Sequence, residues 1–172
     1  MADIDYAAPH PFRRAVIIFA STRAASGIYP DRTGPVLREW LHGQHIACAE
    51  PVVVADGEPV ATALAAAIGA DLVITSGGTG LSPTDRTPEV TAPLLDYQIP
   101  GLAQAIRAAG ADKVPTAVLS RGLAGVAGRT LIINLPGSVG GVKDGIAVLE
   151  TVLDHALDQL AGGDHPRPKE NT

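Results

Sequence analysis

The stretch 71–89, DLVITSGGTGLSPTDRTPE, sets a short apolar run directly against a loop with glycine at 77, 78 and 80. A run such as DLVIT is too short for a helix, carries no internal polar break and is closed by serine and glycine. It predicts a strand buried on both faces. Other short, near-continuous apolar runs lie at 15–20 (AVIIFA), 48–55 (CAEPVVVA) and 130–135 (TLIINL). Helical patterns fill the intervals, at 35–42, 58–68, 88–95, 100–109 and 142–160. Alternation of strand and helix predicts an α/β fold with a largely parallel sheet and helices on either side. Thr87 reads as an N-cap with Pro88 at the first helical position, where a missing N–H costs nothing. In 142–160, Val142, Ile146, Leu149, Leu153 and Leu157 recur at spacings of three or four. They predict one apolar face, with Lys143, Asp144, Glu150 and Asp158 elsewhere and Gly162-Gly163 ending the helix.

A chain of 172 residues is long enough for one core without disulfides or metals. The expected domain is 14–162, with flexible segments at 1–13 and 163–172 that lack periodicity or are rich in proline and charge. No apolar run approaches the ~20 residues of a membrane span. Acidic residues stand where a signal peptide needs a basic region, so the expected location is cytoplasmic. Cys48 has no second cysteine to pair with and lies in an apolar run, which predicts a buried, inert thiol. The five histidines show no metal-ligand spacing. A net charge of −5, no basic stripe and six aromatic residues argue against a nucleic-acid surface.

In a parallel sheet, ligands bind beyond the carboxyl ends of the strands, so the four loops there belong together. They are 21–34, 56–57, 76–80 and 136–141, all rich in glycine, serine or threonine. Glycine permits close approach and the positive φ angles that aim several N–H groups at one anion. The segments 76–82 and 137–141 qualify, and the second opens a helix whose N–H groups and dipole favour a phosphate. Three glycines within four positions imply that something passes very near the backbone, and a phosphate-bearing ligand is the expectation. Neither loop has the Gly-Lys-Ser/Thr ending of a P-loop or the full dinucleotide fingerprint.

Gly77-Gly-Thr-Gly80, Pro83-x-Asp85-x-Thr87-Pro88-Glu89, Pro100-Gly-Leu102, Leu119-Ser-Arg121 and Asn134-Leu-Pro-Gly-Ser138 together resemble the molybdenum-cofactor biosynthesis family of the Mog/MoaB type. The resemblance runs from about 14 to 160. It implies a three-layer α/β/α sandwich, a homotrimer, and contacts with other cofactor-synthesis proteins. It also implies transfer of AMP from Mg-ATP to the terminal phosphate of molybdopterin. Asp56 and Asp85 match the family's two critical aspartates and are the candidate catalytic and Mg2+-holding residues. The substrate-binding candidates are Ser21, Ser26, Ser76, Gly77, Gly78, Thr79, Gly80, Ser120, Arg121, Asn134, Pro136, Gly137 and Ser138. The chain departs from the family at Thr22, where an aspartate is usual, and at Val139, where a proline is common.

Each residue has an alternative reading. Asp56 suits capping of the following helix, and Asp85 suits a turn bond to its own backbone. Glu89 favours the helix dipole in any case. The hydroxyls of Ser26, Ser76, Thr79 and Ser138 either bind ligand or cap turns. Arg23, Arg32 and Arg121 either clamp phosphates or lie solvated. Two functional alternatives share the resemblance: a non-catalytic molybdopterin carrier or scaffold, and a nucleotide pyrophosphate hydrolase.

Overall fold

The computed structural model describes residues 12–162. Five strands of the sheet lie parallel. β1 (Arg14–Ala20) pairs with β2 (Ala47–Cys48), β3 (Val52–Val54) and β4 (Leu72–Ser76), and β4 pairs with β7 (Thr130–Leu135). β4 and β7 are buried along their whole length, as their near-continuous apolar runs predict, with Thr75, Ser76, Thr130 and Asn134 buried among them. Two further strands, β5 (Tyr97–Gln98) and β6 (Ala124–Ala127), complete the edge antiparallel, giving the order β2-β1-β4-β7-β6-β5 with β3 also on β1.

Helices cover both faces. One face carries α2 (Gly34–Gly43), α5 (Pro100–Ala111), α6 (Val139–Leu149) and α7 (Leu153–Leu160), packed through Leu37, Leu41, Ala103, Ile106, Val142, Leu149, Leu153 and Leu157. The other carries α3 (Glu58–Ala67) and the short α4 (Thr87–Thr91), with Val60, Leu64 and Val90 against Ile18, Val73 and Ile132. The result is the three-layer α/β/α sandwich with a mostly parallel sheet.

The structure departs from the sequence reading in five places. The expected strand 48–55 is two, because Pro51 lacks the N–H that a continuing ladder needs, and Val52 and Val53 are exposed rather than buried. Cys48 is half-buried; burial pushes its thiol pKa up, and the thiol donates to the Ala49 carbonyl at 3.3 Å. The expected helix 142–160 is α6 and α7, interrupted at 150–152, where the Thr151 hydroxyl bonds back to the Val148 carbonyl at 2.7 Å. Asp144 is not on a solvated face: it is buried and accepts from Lys113 Nζ at 2.5 Å. Thr87 does not cap; it is the first residue of α4, and its buried hydroxyl donates to the Gly77 carbonyl at 3.0 Å.

Gly162 takes φ 93° at the end of α7, as expected of a helix terminator. The expected flexible ends fall outside the described residues except at their inner margin. There Arg13 is anchored to α7 by Asp154 at 2.6 Å and Asp158 at 2.5 Å.

Candidate functional site

After β1 the chain turns to one side of the sheet, and after β4 it turns to the other. The carboxyl ends of these neighbouring strands therefore part and leave a crevice. A cavity of about 500 Å3 opens there. Its floor is Ala20, Ser21, Gly77, Gly78 and Gly137, and Thr22, Arg23, Asp56, Thr84 and Asp85 stand around it. A second cavity, of about 580 Å3, shares Phe19, Tyr29 and Gly137 with the first and adds Arg32, Thr33, Ser138 and Val139. The two form adjoining compartments beside one aromatic pair.

The glycines are explained first by the protein itself. Gly77 and Gly78 take φ 98° and 67°, a region that other residues rarely enter. A Cβ on Gly77 would lie 2.3 Å from the Ala20 carbonyl oxygen, and one on Gly137 would lie 3.1 Å from Gly77 Cα. The loops after β1, β4 and β7 thus meet backbone to backbone. At Gly78 a Cβ would meet Thr87 Oγ1 at 2.2 Å and Asp56 Oδ1 at 3.1 Å; at Gly80 it would meet Asp85 Oδ2 at 2.7 Å. So the groups passing near these glycines are the chain's own carbonyl, hydroxyl and two carboxylates. The cradle is built before any ligand arrives.

Asp56 is not a helix cap, because Gly57 holds that position in α3. Its Oδ2 instead accepts from Thr22 N at 3.0 Å and from Thr22 Oγ1 at 2.8 Å, which ties the loop after β3 to α1 (Thr22–Ala25). Asp85 Oδ2 accepts from Ser82 N at 3.2 Å, the turn bond anticipated for it. Each carboxylate keeps its Oδ1 without a protein partner among the described residues. Two acids with a free oxygen each suit Mg2+, which takes one or two carboxylates and fills its shell with phosphates and water. No group of three or more His, Cys, Asp or Glu suited to a metal occurs among the described residues. Two acids without a third protein ligand make an open donor set, one that suits an ion completing its shell with non-protein oxygens rather than a closed protein cage.

Of the other candidates, Ser21, Gly77, Gly78 and Gly137 line the first cavity. Ser21 also caps α1 by accepting from Ala24 N at 3.2 Å, and its Oγ lies 2.9 Å from the Tyr29 hydroxyl. Ser138 lines the second cavity and caps α6 by accepting from Gly141 N at 3.1 Å. Ser26 lines neither; its hydroxyl donates to the Thr22 carbonyl at 2.7 Å. The Ser76 hydroxyl is fully buried against Thr33 and the Pro136 carbonyl, each at 2.9 Å. Asn134 is likewise inside the sheet, donating to Thr75 Oγ1 and Thr91 Oγ1 and accepting from Leu123 N.

Thr79, Gly80, Ser120 and Arg121 form a cluster outside both cavity linings, and Pro136 acts through its carbonyl. Arg121 also pairs with Glu89. Burial raises the Glu89 pKa, but the Arg121 hydrogen bond, with help from its own backbone and the nearby charges, outweighs that and holds it below the ordinary value. Arg23 and Arg32, by contrast, face the two cavities with no protein partner among the described residues.

Sequence reasoning missed Phe19, Tyr29 and Thr84. Tyr29 had one signal, since it is the only aromatic in the loop after β1.

The family model described as "Probable molybdopterin binding domain" matches residues 16–155. The Mog protein of Mycobacterium ulcerans, a molybdopterin biosynthesis protein, superposes with a TM-score of 0.84 at 62% identity. That alignment covers 86% of this chain and 99% of the other. The molybdopterin adenylyltransferase of Escherichia coli is 35% identical over 147 residues, 82% of this chain and 74% of that protein. A molybdenum cofactor biosynthesis bifunctional protein of Synechococcus elongatus is 40% identical over 155 residues, 88% of this chain but 48% of its own length. The chain thus spans about half the length of the bifunctional relatives it matches. With the fold, the switch-point cradle and these likenesses in agreement, the chain belongs to the Mog/MoaB family of molybdenum cofactor biosynthesis proteins.

Proposed function

We propose that the protein is a molybdopterin adenylyltransferase, moving AMP from Mg-ATP to the terminal phosphate of molybdopterin. The observation that carries this reading is the meeting of Asp56, Asp85, the glycine floor and unpaired Arg23 in one cavity at the sheet's switch point.

In this transfer a terminal phosphate oxygen of molybdopterin attacks the α-phosphorus of ATP. The bond from that phosphorus to the bridging oxygen breaks, and pyrophosphate leaves. The attacking oxygen is already an anion, so no strong general base is required, and rate depends on alignment and on neutralising crowded charge. The backbone at Gly77, Gly78 and Gly137 offers a concave floor on which phosphates can lie close. Arg23 and Arg32 bring cationic forks to the two compartments. Asp56 and Asp85 each present a free oxygen from opposite loops and would be the residues that hold Mg2+. When bound, the ion supplies Lewis-acid neutralisation of the developing charge.

The same reading carries a homotrimeric assembly and a cytoplasmic setting. No helix among the described residues is long and apolar enough to cross a membrane. The test is incubation with molybdopterin and Mg-ATP, following adenylylated molybdopterin and pyrophosphate together. Equimolar appearance of both supports the reading. Binding of molybdopterin without turnover favours a carrier, and cleavage of a nucleotide pyrophosphate without transfer favours a hydrolase.

A further inference from the structure

We propose that Arg121 is the positioning residue that sets the Asp85 carboxylate, rather than a contact to substrate phosphate. The inference rests on the adenylyl-transfer reading above.

The guanidinium of Arg121 is committed on all three nitrogens. Nε donates to the Gly80 carbonyl at 2.9 Å, Nη2 donates to the Asp85 carbonyl at 2.6 Å, and Nη1 pairs with Glu89. Its backbone N–H adds a bond to the Thr79 carbonyl at 2.8 Å. These contacts fall at the start, middle and end of the stretch 79–89, so one planar group fixes the whole excursion that carries Asp85. Within that excursion the carboxylate has little freedom of its own. Its Oδ2 accepts from Ser82 N at 3.2 Å and lies 2.7 Å from the position a Cβ on Gly80 would take. Moving Gly80 or the Asp85 backbone therefore moves the carboxylate.

Arg121 lines neither cavity, while Arg23 and Arg32 line them without partners and so are the available cations for phosphate. A lysine at 121 would keep the charge but present a single point donor, unable to span three acceptors held in a fixed fork.

Arg121→Lys and Arg121→Gln are compared with the wild type in two measurements. In steady-state transfer from Mg-ATP to molybdopterin, both variants are expected to lose kcat by roughly 10- to 100-fold, the scale of a small misplacement of a reacting group. Their KM values should stay within about twofold, and lysine should give no rescue. Raised KM values that lysine largely restores would overturn the proposal in favour of a phosphate contact. The second measurement needs no activity: backbone hydrogen exchange at Ser82 and Asp85, whose amides are bonded within the loop. Faster exchange there, with the global melting temperature held within a few degrees, supports the clamp. Unchanged exchange overturns it. A wild type that fails to transfer AMP ends the parent reading, and the exchange result still decides the clamp.

Discussion

The two acidic arms of the cavity are held in different ways. Asp56 is gripped directly, its carboxylate bonded to the backbone and hydroxyl of Thr22 on the neighbouring loop. Asp85 is gripped indirectly, through the chain around it, by an arginine that touches its carbonyl rather than its carboxylate. A direct grip localises the consequence of a mutation to one side chain. An indirect grip spreads it over a loop. The departure at Thr22 therefore does not leave the first loop idle, since the hydroxyl has taken up the task of aiming Asp56.

The largest effect should follow loss of an acid. Asp85→Asn is expected to lower transfer by roughly 100-fold or more, as a neutral amide oxygen is a much weaker ligand for the proposed Mg2+ than a carboxylate, while the melting temperature moves only a few degrees. Near-full activity would show that Asp85 has no part in holding metal, and the two-arm comparison would collapse. Gly78→Val comes next. It forces a β-branched residue into φ 67° and against Thr87 Oγ1, so stability should fall by about 1–3 kcal/mol in denaturant titration, with loss of molybdopterin binding in calorimetry. Wild-type stability together with wild-type affinity would remove the cradle argument.

Thr22→Val sharpens the contrast, because it leaves the backbone bond to Asp56 and deletes the hydroxyl bond. A fall of about tenfold in kcat, reversed by Thr22→Ser, is expected from kinetics on the three proteins. Equal activity of the valine variant would mean that the backbone bond alone aims the acid.

The smallest effect is that of pH on Glu89. Its folded-state pKa is depressed, so its pairing with Arg121 stabilises the fold above the ordinary glutamate range and is lost as pH falls through the lowered value. Melting curves taken from neutrality downwards should converge for wild type and Glu89→Gln at the acidic end, with only a slight gap at neutrality because the pair is half-exposed. A gap that widens towards acid would contradict the sign.

Much of this fold was legible because β1, β4 and β7 are buried on both faces and show it as near-continuous apolar runs. β6 was not, since Ala124-Gly-Val-Ala127 has small residues where a strand signal needs β-branched ones, and its strand character comes from pairing with β7. The break between α6 and α7 was hidden for a different reason. Leu149 and Leu153 stay four apart across it, so the apolar spacing reads through the interruption.

At the site, the glycines stood out as a cluster at the strand ends, whereas Asp56 and Asp85, each with a cap or turn role open to it, were singled out by the family resemblance and line one cavity in the structure. Ser76, Asn134 and Arg121, also named as candidates, are hydrogen-bonded within the protein, and the sequence hides this for one shared reason. Each is a polar group whose partners, the Pro136 carbonyl, Thr75 with Thr91, and the 79–89 loop, are far away in sequence or across a strand. A linear reading cannot tell a group reserved for the fold from one left open to solvent.

The interlocked backbones at Ala20, Gly77 and Gly137 also limit how the pocket can be remodelled. Gly77 and Gly137 have no side chain to exchange, and a carbon added at Gly77 would lie 2.3 Å from the Ala20 carbonyl oxygen at the end of β1. Altered selectivity, whether by selection or by engineering, has to be written on the walls, at Arg23, Tyr29, Arg32 and Thr84, while the base is inherited unchanged.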